Sequence, residues 1–403
     1  MLFSLALVFL CGMALAAVFE RLRLPPLLGM LAAGIVLGPG VLDALDGSLL
    51  AASADLRKAA LLIILTRAGL SLDTAQLRRT GRPAVLMCFV PACFEICAVT
   101  LLAPALLGFS PAEAAVLGSV LAAVSPAVVV PKMLRLMEEG YGAGRGIPQL
   151  VMAGASVDDI FVIVLFTCFT SLAAQGSFSA WTLARIPTSI LLGLAAGAAL
   201  GRALSALFRS VHMRDSAKVM LLLSLSFLLA WAEDQLTGPV GFSGLLAVMA
   251  MGAAVHRRLP AAGARLSAKY ARLWVAAEPL LFVLVGAAVD VRLALGASAA
   301  GAAVILGALC VRMLGVLACL VRTRFSRRER LFCALAYTPK ATVQAAIGGV
   351  PLAMGLACGS KVLAVAVLAI LITAPLGALA IEHTYRRLLP GPEACAARRR
   401  GGA

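Results

Sequence analysis

The chain has 403 residues, of which 62% are hydrophobic and only 13% are charged, and its net charge is +16. Soluble domains average about 25% charged residues, so this composition excludes a soluble globular protein, which could not cover its own surface. The basic residues flank apolar runs, and this distribution indicates membrane topology and argues against a nucleic-acid-binding surface.

Thirteen apolar runs, each long enough to cross a bilayer as a helix, predict an all-α polytopic membrane protein. The predicted spans are 1–19, 25–42, 56–72, 83–107, 112–136, 147–173, 180–207, 217–235, 239–256, 270–290, 295–321, 329–357 and 361–385. The first run lacks a basic flank and leads into Glu20 and Arg21, which favours a retained helix over a signal peptide. The short connections contain no phosphate-binding P-loop motif, so any transport relies on an ion gradient or is passive.

Most of the 35 lysines and arginines lie in or beside the odd-numbered connections and in the C-terminal tail. The positive-inside rule therefore predicts a multi-pass cell membrane protein, in the inner or plasma membrane, with its N-terminus outside and its C-terminus in the cytoplasm. The ten cysteines show no metal-ligand spacing, and the three histidines lie at span ends or in loops. No cofactor and no intramembrane histidine proton carrier are expected.

Two of the predicted spans are interrupted by proline. Span five contains Ser125-Pro126, and span twelve contains Thr338-Pro339-Lys340. Proline removes a backbone donor, and lipid cannot satisfy the freed backbone groups, so neighbours, water or a ligand must do so. The two breaks occupy the second helix of spans 4–6 and of spans 11–13, and the second group is predicted to be inverted relative to the first. Broken helices in matching positions indicate a transporter binding site.

Asp158 and Asp159 lie near the centre of the apolar run 147–173. One ionised Asp at this depth costs about 2.5–3.5 kcal/mol on insertion scales, so a pair in this place indicates transport. A carboxylate can hold either a proton or a hard cation, and competition between the two gives exchange. Oxygen ligands suit such cations, and Ser125, Ser156 and Thr342 are possible additional ligands.

Other ionisable residues are also predicted inside the spans. They are Glu95, Arg67, Arg312 and Lys340, with Glu278 as a further candidate. Membrane-embedded charges pair with one another or line an ion path. Arg312 does not deprotonate in proteins, so it is predicted to be a fixed counter-charge, with Glu95 as its candidate partner and Lys340 as a second compensating base.

Several of these stretches match those of a known transporter family in both composition and order. They are residues 64–70 (ILTRAGL), 118–131 (GSVLAAVSPAVVVP), 156–160 (SVDDI), 338–348 (TPKATVQAAIG) and 371–379 (LITAPLGAL). Along essentially its whole length, the chain resembles the monovalent cation/proton antiporter superfamily, and within it the NHA-type Na+/H+ antiporter branch. One departure is Val124-Ser125-Pro126, because many members carry Thr-Asp-Pro at this position.

The resemblance implies a fold with an inverted-repeat core, two crossed broken helices and a dimerisation domain. Its predicted parts are scaffold helices in 1–78, the first core repeat in 83–173, a linker helix in 180–207, further scaffold helices in 217–292, the second core repeat in 295–387 and a basic tail in 388–403. Relatives are homodimers whose core moves like an elevator past the scaffold. The resemblance also makes Asp159 the main ion and proton ligand and Asp158 its neighbour, pairs Glu95 with Arg312, and matches Lys340 to the family's lysine.

The predicted function is secondary antiport of Na+ or Li+ for H+ by a homodimer in the lipid bilayer, without enzymatic activity. The alternative is a sodium-coupled symporter of an organic anion on a related crossed-helix fold, although such a substrate calls for more polar residues than the core offers. A channel or a non-transporting scaffold would have no reason to carry matched helix breaks and buried charges.

Overall fold

The computed structural model describes residues 1–22, 24–71, 81–175, 180–236, 242–290 and 298–391, and within these ranges the chain forms helices and no β-strand. The helices are α1 (Leu2–Arg21), α2 (Pro26–Leu37), α3 (Gly47–Ala51), α4 (Ser53–Leu70), α5 (Arg82–Met87), α6 (Val90–Leu107), α7 (Pro111–Leu121), α8 (Pro126–Glu138), α9 (Ile147–Gln175), α10 (Ala180–Ser210), α11 (Asp215–Gln235), α12 (Gly244–Arg258), α13 (Pro260–Ala287), α14 (Ser298–Cys319), α15 (Arg327–Ala336), α16 (Thr342–Gly348), α17 (Val350–Ala353) and α18 (Gly359–Leu388).

The predicted all-α membrane fold is confirmed. Among the described residues, eight helices are long and apolar enough to cross a membrane, and shorter apolar helices occupy Pro26–Leu37, Phe161–Ala174 and Thr342–Ala353. Every predicted span coincides with one helix or with consecutive shorter helices, so the structure fits a chain of about thirteen spans.

Two predicted spans differ from the structure in ways that have a physical cause. The span predicted at 83–107 is divided into α5 and α6 at Cys88 and Phe89, because Pro91 lacks an amide hydrogen and disfavours a continuous helix before it. The span predicted to begin at residue 270 begins at Pro260 instead. Its first turns bury Leu266, whereas Arg265 is exposed and Lys269 is partly exposed, and a hydropathy average does not detect such an amphipathic segment.

The two predicted helix breaks are present, and both broken helices begin with the same local signal. In α7, the Ser110 hydroxyl accepts from the Glu113 amide, and the Glu113 carboxylate accepts from the Ser110 amide. Ser326 and Glu329 form the same capping box at the start of α15. A capping box satisfies two of the free amides at a helix start. After these helices the chain is not helical at 122–125 and at 337–341, in matching positions of the two three-helix units.

Glycine contacts divide the helices into two groups. In the first group (α1, α2, α4 and α10–α13) the helices approach backbone to backbone: Gly34 of α2 lies against Val283 of α13, and Gly197 of α10 lies against Ala247 of α12. In the second group (α5–α9 and α14–α18), Gly118 of α7 lies against Ile96 of α6. Small residues permit such close packing within membranes.

One glycine contact crosses between the groups. Among the described glycines, only Gly349 has its nearest neighbours in the other group, where it meets the Arg57 guanidinium of α4. Leu61 of α4 and Ile347 of α16 also belong to one buried apolar cluster, which contains residues of both groups. The predicted division into scaffold and core stays a prediction, and this packing supports it, with α10 grouped with the scaffold helices.

Candidate ion-binding site

The two helix breaks touch each other in the buried centre of the second group. The Ser125 amide donates to the Pro339 carbonyl at 2.8 Å. The hydroxyls of Ser125 and Thr342 are 3.4 Å apart, and both residues are buried. Thr342 begins α16, so the broken-helix ends meet at the place where backbone groups have lost their helical partners.

Arg312 of α14 is fully buried and connects the two breaks to two carboxylates. Its Nη2 lies 2.9 Å from Asp158 Oδ2, and its Nη1 lies 2.9 Å from Glu95 Oε2. The guanidinium also donates from Nε to the Tyr337 carbonyl at 3.0 Å and from Nη1 to the Ala122 carbonyl. A buried guanidinium is tolerated when its charge and donors are all satisfied in this way.

Lys340 gives Glu95 a second cationic partner. Its Nζ lies 2.6 Å from Glu95 Oε1 and donates to the Leu121 carbonyl. The Lys340 amide donates to Thr373 Oγ1 at 3.1 Å. Each Glu95 oxygen therefore faces a different base, and two acids (Glu95 and Asp158) and two bases (Arg312 and Lys340) form a cluster with no formal net charge. We call these four residues the neutral cluster.

Asp158 and Asp159 have different partners. Asp158 is fully buried, and its Oδ2 accepts from Arg312 and from the Val124 amide, each at 2.9 Å. Asp159 is half-buried. Among the described residues it forms no ion pair, and its Oδ1 is buried without a hydrogen-bond partner. When it is ionised, Asp159 therefore adds one negative charge beside a set of charges that is already balanced.

Side chains from α14 and from the region of the second break satisfy carbonyls that the first break frees. The carbonyls of Leu121 and Ala122 accept from Lys340 and Arg312, and that of Ala123 accepts from Gln344 Nε2 at 2.8 Å. The sequence-based prediction overlooked Gln344. A lone amide in an apolar run is a detectable signal, because a polar side chain in a membrane requires a partner.

Tyr337 is a second residue that sequence reasoning missed. The Arg312 guanidinium lies 5.5 Å from the centre of its ring, within the range of a cation–π contact. Its hydroxyl is buried without a partner and points at Gly154, where an added Cβ would collide with it. Gly154 is one helical turn before Asp158 on α9, so the Tyr337 ring lies between the helix that carries Arg312 and the helix that carries Asp158.

The structure thus brings most of the predicted site residues together. Asp158, Arg312, Glu95 and Lys340 form the neutral cluster, and Asp159 is adjacent to it in the chain. Ser125 and Thr342 bond to each other at the crossing. The side chain of Ser156, also predicted to be a ligand, lies outside the described part of the chain. Outside the cluster, Arg67 of α4 and Glu278 of α13 are half-buried in the first helix group.

Comparisons with known proteins agree with this arrangement. A family model described as "Sodium/hydrogen exchanger, transmembrane" matches residues 5–386. The mouse protein named Sodium/hydrogen exchanger 9B2 is 35% identical over 97% of this chain and 74% of its own length. This chain belongs to the sodium/hydrogen exchanger family. The human protein named Sodium/hydrogen exchanger 9B1 is 36% identical over 94% of this exchanger and 76% of its own length.

A solved structure has the same fold. The sodium proton antiporter MjNhaP1 from Methanocaldococcus jannaschii, in the structure at pH 8, matches with a TM-score of 0.80 over 95% of this exchanger and 97% of that chain, at 20% identity. The predicted family is therefore confirmed, and this is a multi-pass membrane protein of a cation/proton antiport family. Its relatives are named as exchangers, which agrees with the prediction of a transporter that is not an enzyme.

Proposed function

We propose that this exchanger transports Na+ or Li+ in exchange for H+, and that Asp159 is the carboxylate at which the two ions compete. The observation that carries this proposal is the unbalanced charge of Asp159 beside the neutral cluster. A buried carboxylate without a counter-charge is costly, so it favours occupation by either a proton or a cation. Each of the two neutralises it, and each excludes the other.

Asp158 has a supporting role in this proposal. One of its oxygens already receives Arg312 and the Val124 amide, and a cation that took this oxygen would have to displace a fixed guanidinium. Its other oxygen, Oδ1, has no partner and is available as a ligand beside Asp159. Because one carboxylate is uncompensated, we expect one proton to leave for each cation that binds.

The crossing of the broken helices offers further oxygen ligands. Ser125 and Thr342 are the candidates in the described part of the chain, and hydroxyl oxygens suit Na+ and Li+. Ser156 stays a third candidate from the sequence.

We further propose that the second helix group moves as an elevator past the first. Its support is the packing: glycine contacts join the helices within each group, and the surface between the groups is mainly apolar. Apolar surfaces can slide without breaking many polar contacts. The first group would be the dimerisation scaffold of a homodimer in the cell membrane, with the N-terminus outside and the C-terminus in the cytoplasm, as the basic residues predict.

The test is ion-driven proton flux in liposomes that contain the purified protein. Addition of Na+ or Li+ on one side should move protons to that side, and Asp159→Asn should abolish this flux. Asp55→Asn, at an exposed carboxylate near the start of α4, is the matched control and should behave like the wild type. Flux that persists in Asp159→Asn would contradict the role of Asp159.

A further inference from the structure

Arg57 is a buried cation that the ion-binding site does not use. It lies in the second turn of α4, is only 9% exposed, and donates from Nε to the Ser53 carbonyl at 3.2 Å. Among the described residues, no carboxylate forms an ion pair with it. A buried charge without an acidic partner is unfavourable unless something else compensates it.

The Arg57 side chain reaches the other helix group at the junction of α16 and α17. The Arg57 guanidinium lies against Gly349, where an added Cβ would collide with Nη1 and lie 3.2 Å from Cζ. Gly349 joins α16 to α17 in a helical conformation, and its carbonyl accepts from the Ala353 amide. A side chain at position 349 would therefore require the guanidinium to move.

The other end of the same helix lies at the candidate ion-binding site. α16 has 7 residues and is therefore about 10 Å long. Its first residue, Thr342, contacts Ser125, and Gln344 donates to the Ala123 carbonyl of the first break. Arg57 therefore contacts one end of a half-helix whose opposite end forms part of the crossing.

We propose that Arg57 is a positioning residue that latches the first helix group onto α16 and holds the conformation seen here. The inference rests on the proposed elevator movement, because that movement would separate Arg57 from Gly349. The latch stabilises the starting conformation but does not contact the ions. Its loss should therefore speed the movement and leave ion binding largely unchanged.

The experiment combines transport kinetics with hydrogen exchange. Arg57→Gln removes the charge at similar size, and Arg57→Lys keeps the charge but loses the planar fork. We expect Arg57→Gln to raise turnover about threefold, with the KM for Na+ within about twofold of the wild type. Amide exchange in residues 342–353 should accelerate about fivefold. Arg57→Lys should fall between Arg57→Gln and the wild type.

A matched control makes the same substitution at an exposed position. Arg272→Gln, on α13 of the first group, should leave both readouts at wild-type values. The proposal that Arg57 holds α16 would be wrong if Arg57→Gln changed neither turnover nor amide exchange at 342–353. It would also be wrong if the KM for Na+ of this variant rose as much as its turnover. If the wild type shows no Na+-driven proton flux, the proposed function fails, and hydrogen exchange still decides whether Arg57 holds α16.

Discussion

Asp158 and Asp159 are consecutive residues of one helix, but only Asp158 is paired with a base. Asp158 Oδ2 is held by Arg312 and by the Val124 amide, whereas Asp159 has an unpartnered, buried Oδ1 and lies partly exposed. Successive helical residues point about 100° apart, so one can face the neutral cluster while the other faces away from it. This difference leads to opposite expectations for the two carboxylates.

The first prediction contrasts the stability of the two Asp→Asn variants. Asp158→Asn removes a partner from buried Arg312, which costs about 3–5 kcal/mol when the remaining charge stays uncompensated. Asp159→Asn removes a charge that has no partner and should leave the unfolding free energy unchanged or increase it. Thermal unfolding of both variants in detergent measures this. A less stable Asp159→Asn protein would mean that Asp159 is the paired carboxylate.

A second prediction concerns the two bases on Glu95. Glu95→Gln leaves Arg312 and Lys340 with Asp158 as their shared acid, so it should strongly destabilise the protein. Adding Lys340→Gln removes the excess positive charge and should recover about 1–3 kcal/mol. Unfolding of the two single variants and of the double variant forms the required cycle. If the loss of unfolding free energy in the double variant equals the sum of the losses in the two single variants, Lys340 and Glu95 are not coupled.

A third prediction tests the packing of Tyr337 on Gly154. Gly154→Ala should destabilise the protein by about 1–3 kcal/mol, because the new methyl group collides with the phenol hydroxyl. Tyr337→Phe removes a buried hydroxyl without a partner, so by itself it should be nearly neutral. Combined with Gly154→Ala, it should recover part of the lost stability. If the double variant is no more stable than Gly154→Ala, the hydroxyl is not the colliding group.

A fourth prediction concerns pH and the short helix α3, outside the membrane spans. The Asp46 carboxylate accepts hydrogen bonds from the Ser48 hydroxyl and amide, and these bonds hold the pKa of Asp46 below its usual value of 3.8. Because the pKa is lowered, the ionised Asp46 carboxylate stabilises α3 fully at pH values above the usual pKa. This stabilisation is lost as the pH falls through the lowered pKa. Amide exchange at 47–51 should therefore accelerate in acid. Asp46→Asn should show weaker dependence on pH over the same range.

Hydropathy and positive charge were enough to predict the helical architecture. The runs that became α1, α9 and α14 are mainly apolar, and lipid leaves the backbone no alternative to helix there. Hydropathy did not predict that α13 begins as early as Pro260, because one face of its first turns is exposed. Pro126 and Pro339 coincide with the two helix breaks, because proline lacks the amide hydrogen of a regular helix, whereas Pro131 lies inside α8.

The sequence allowed the charged residues of the site to be predicted, but only some of the ion pairs between them. Glu95, Asp158 and Arg312 stood out because charges inside apolar runs are costly. The contact of Lys340 with Glu95 joins positions 245 residues apart, and nothing in either local sequence specifies it. The contact of Arg57 with Gly349 could not be predicted from the sequence, because it depends on how the two helix groups pack.

The central claim, that Asp159 exchanges a proton for a cation, is tested most directly by counting protons released when Na+ binds. Purified protein in weakly buffered detergent solution at a pH where it is active should release about one proton per protomer when Na+ is added. Asp159→Asn should release none, and Asp55→Asn should match the wild type. Proton release that persists in Asp159→Asn would contradict the account, because another group would then be the site of exchange.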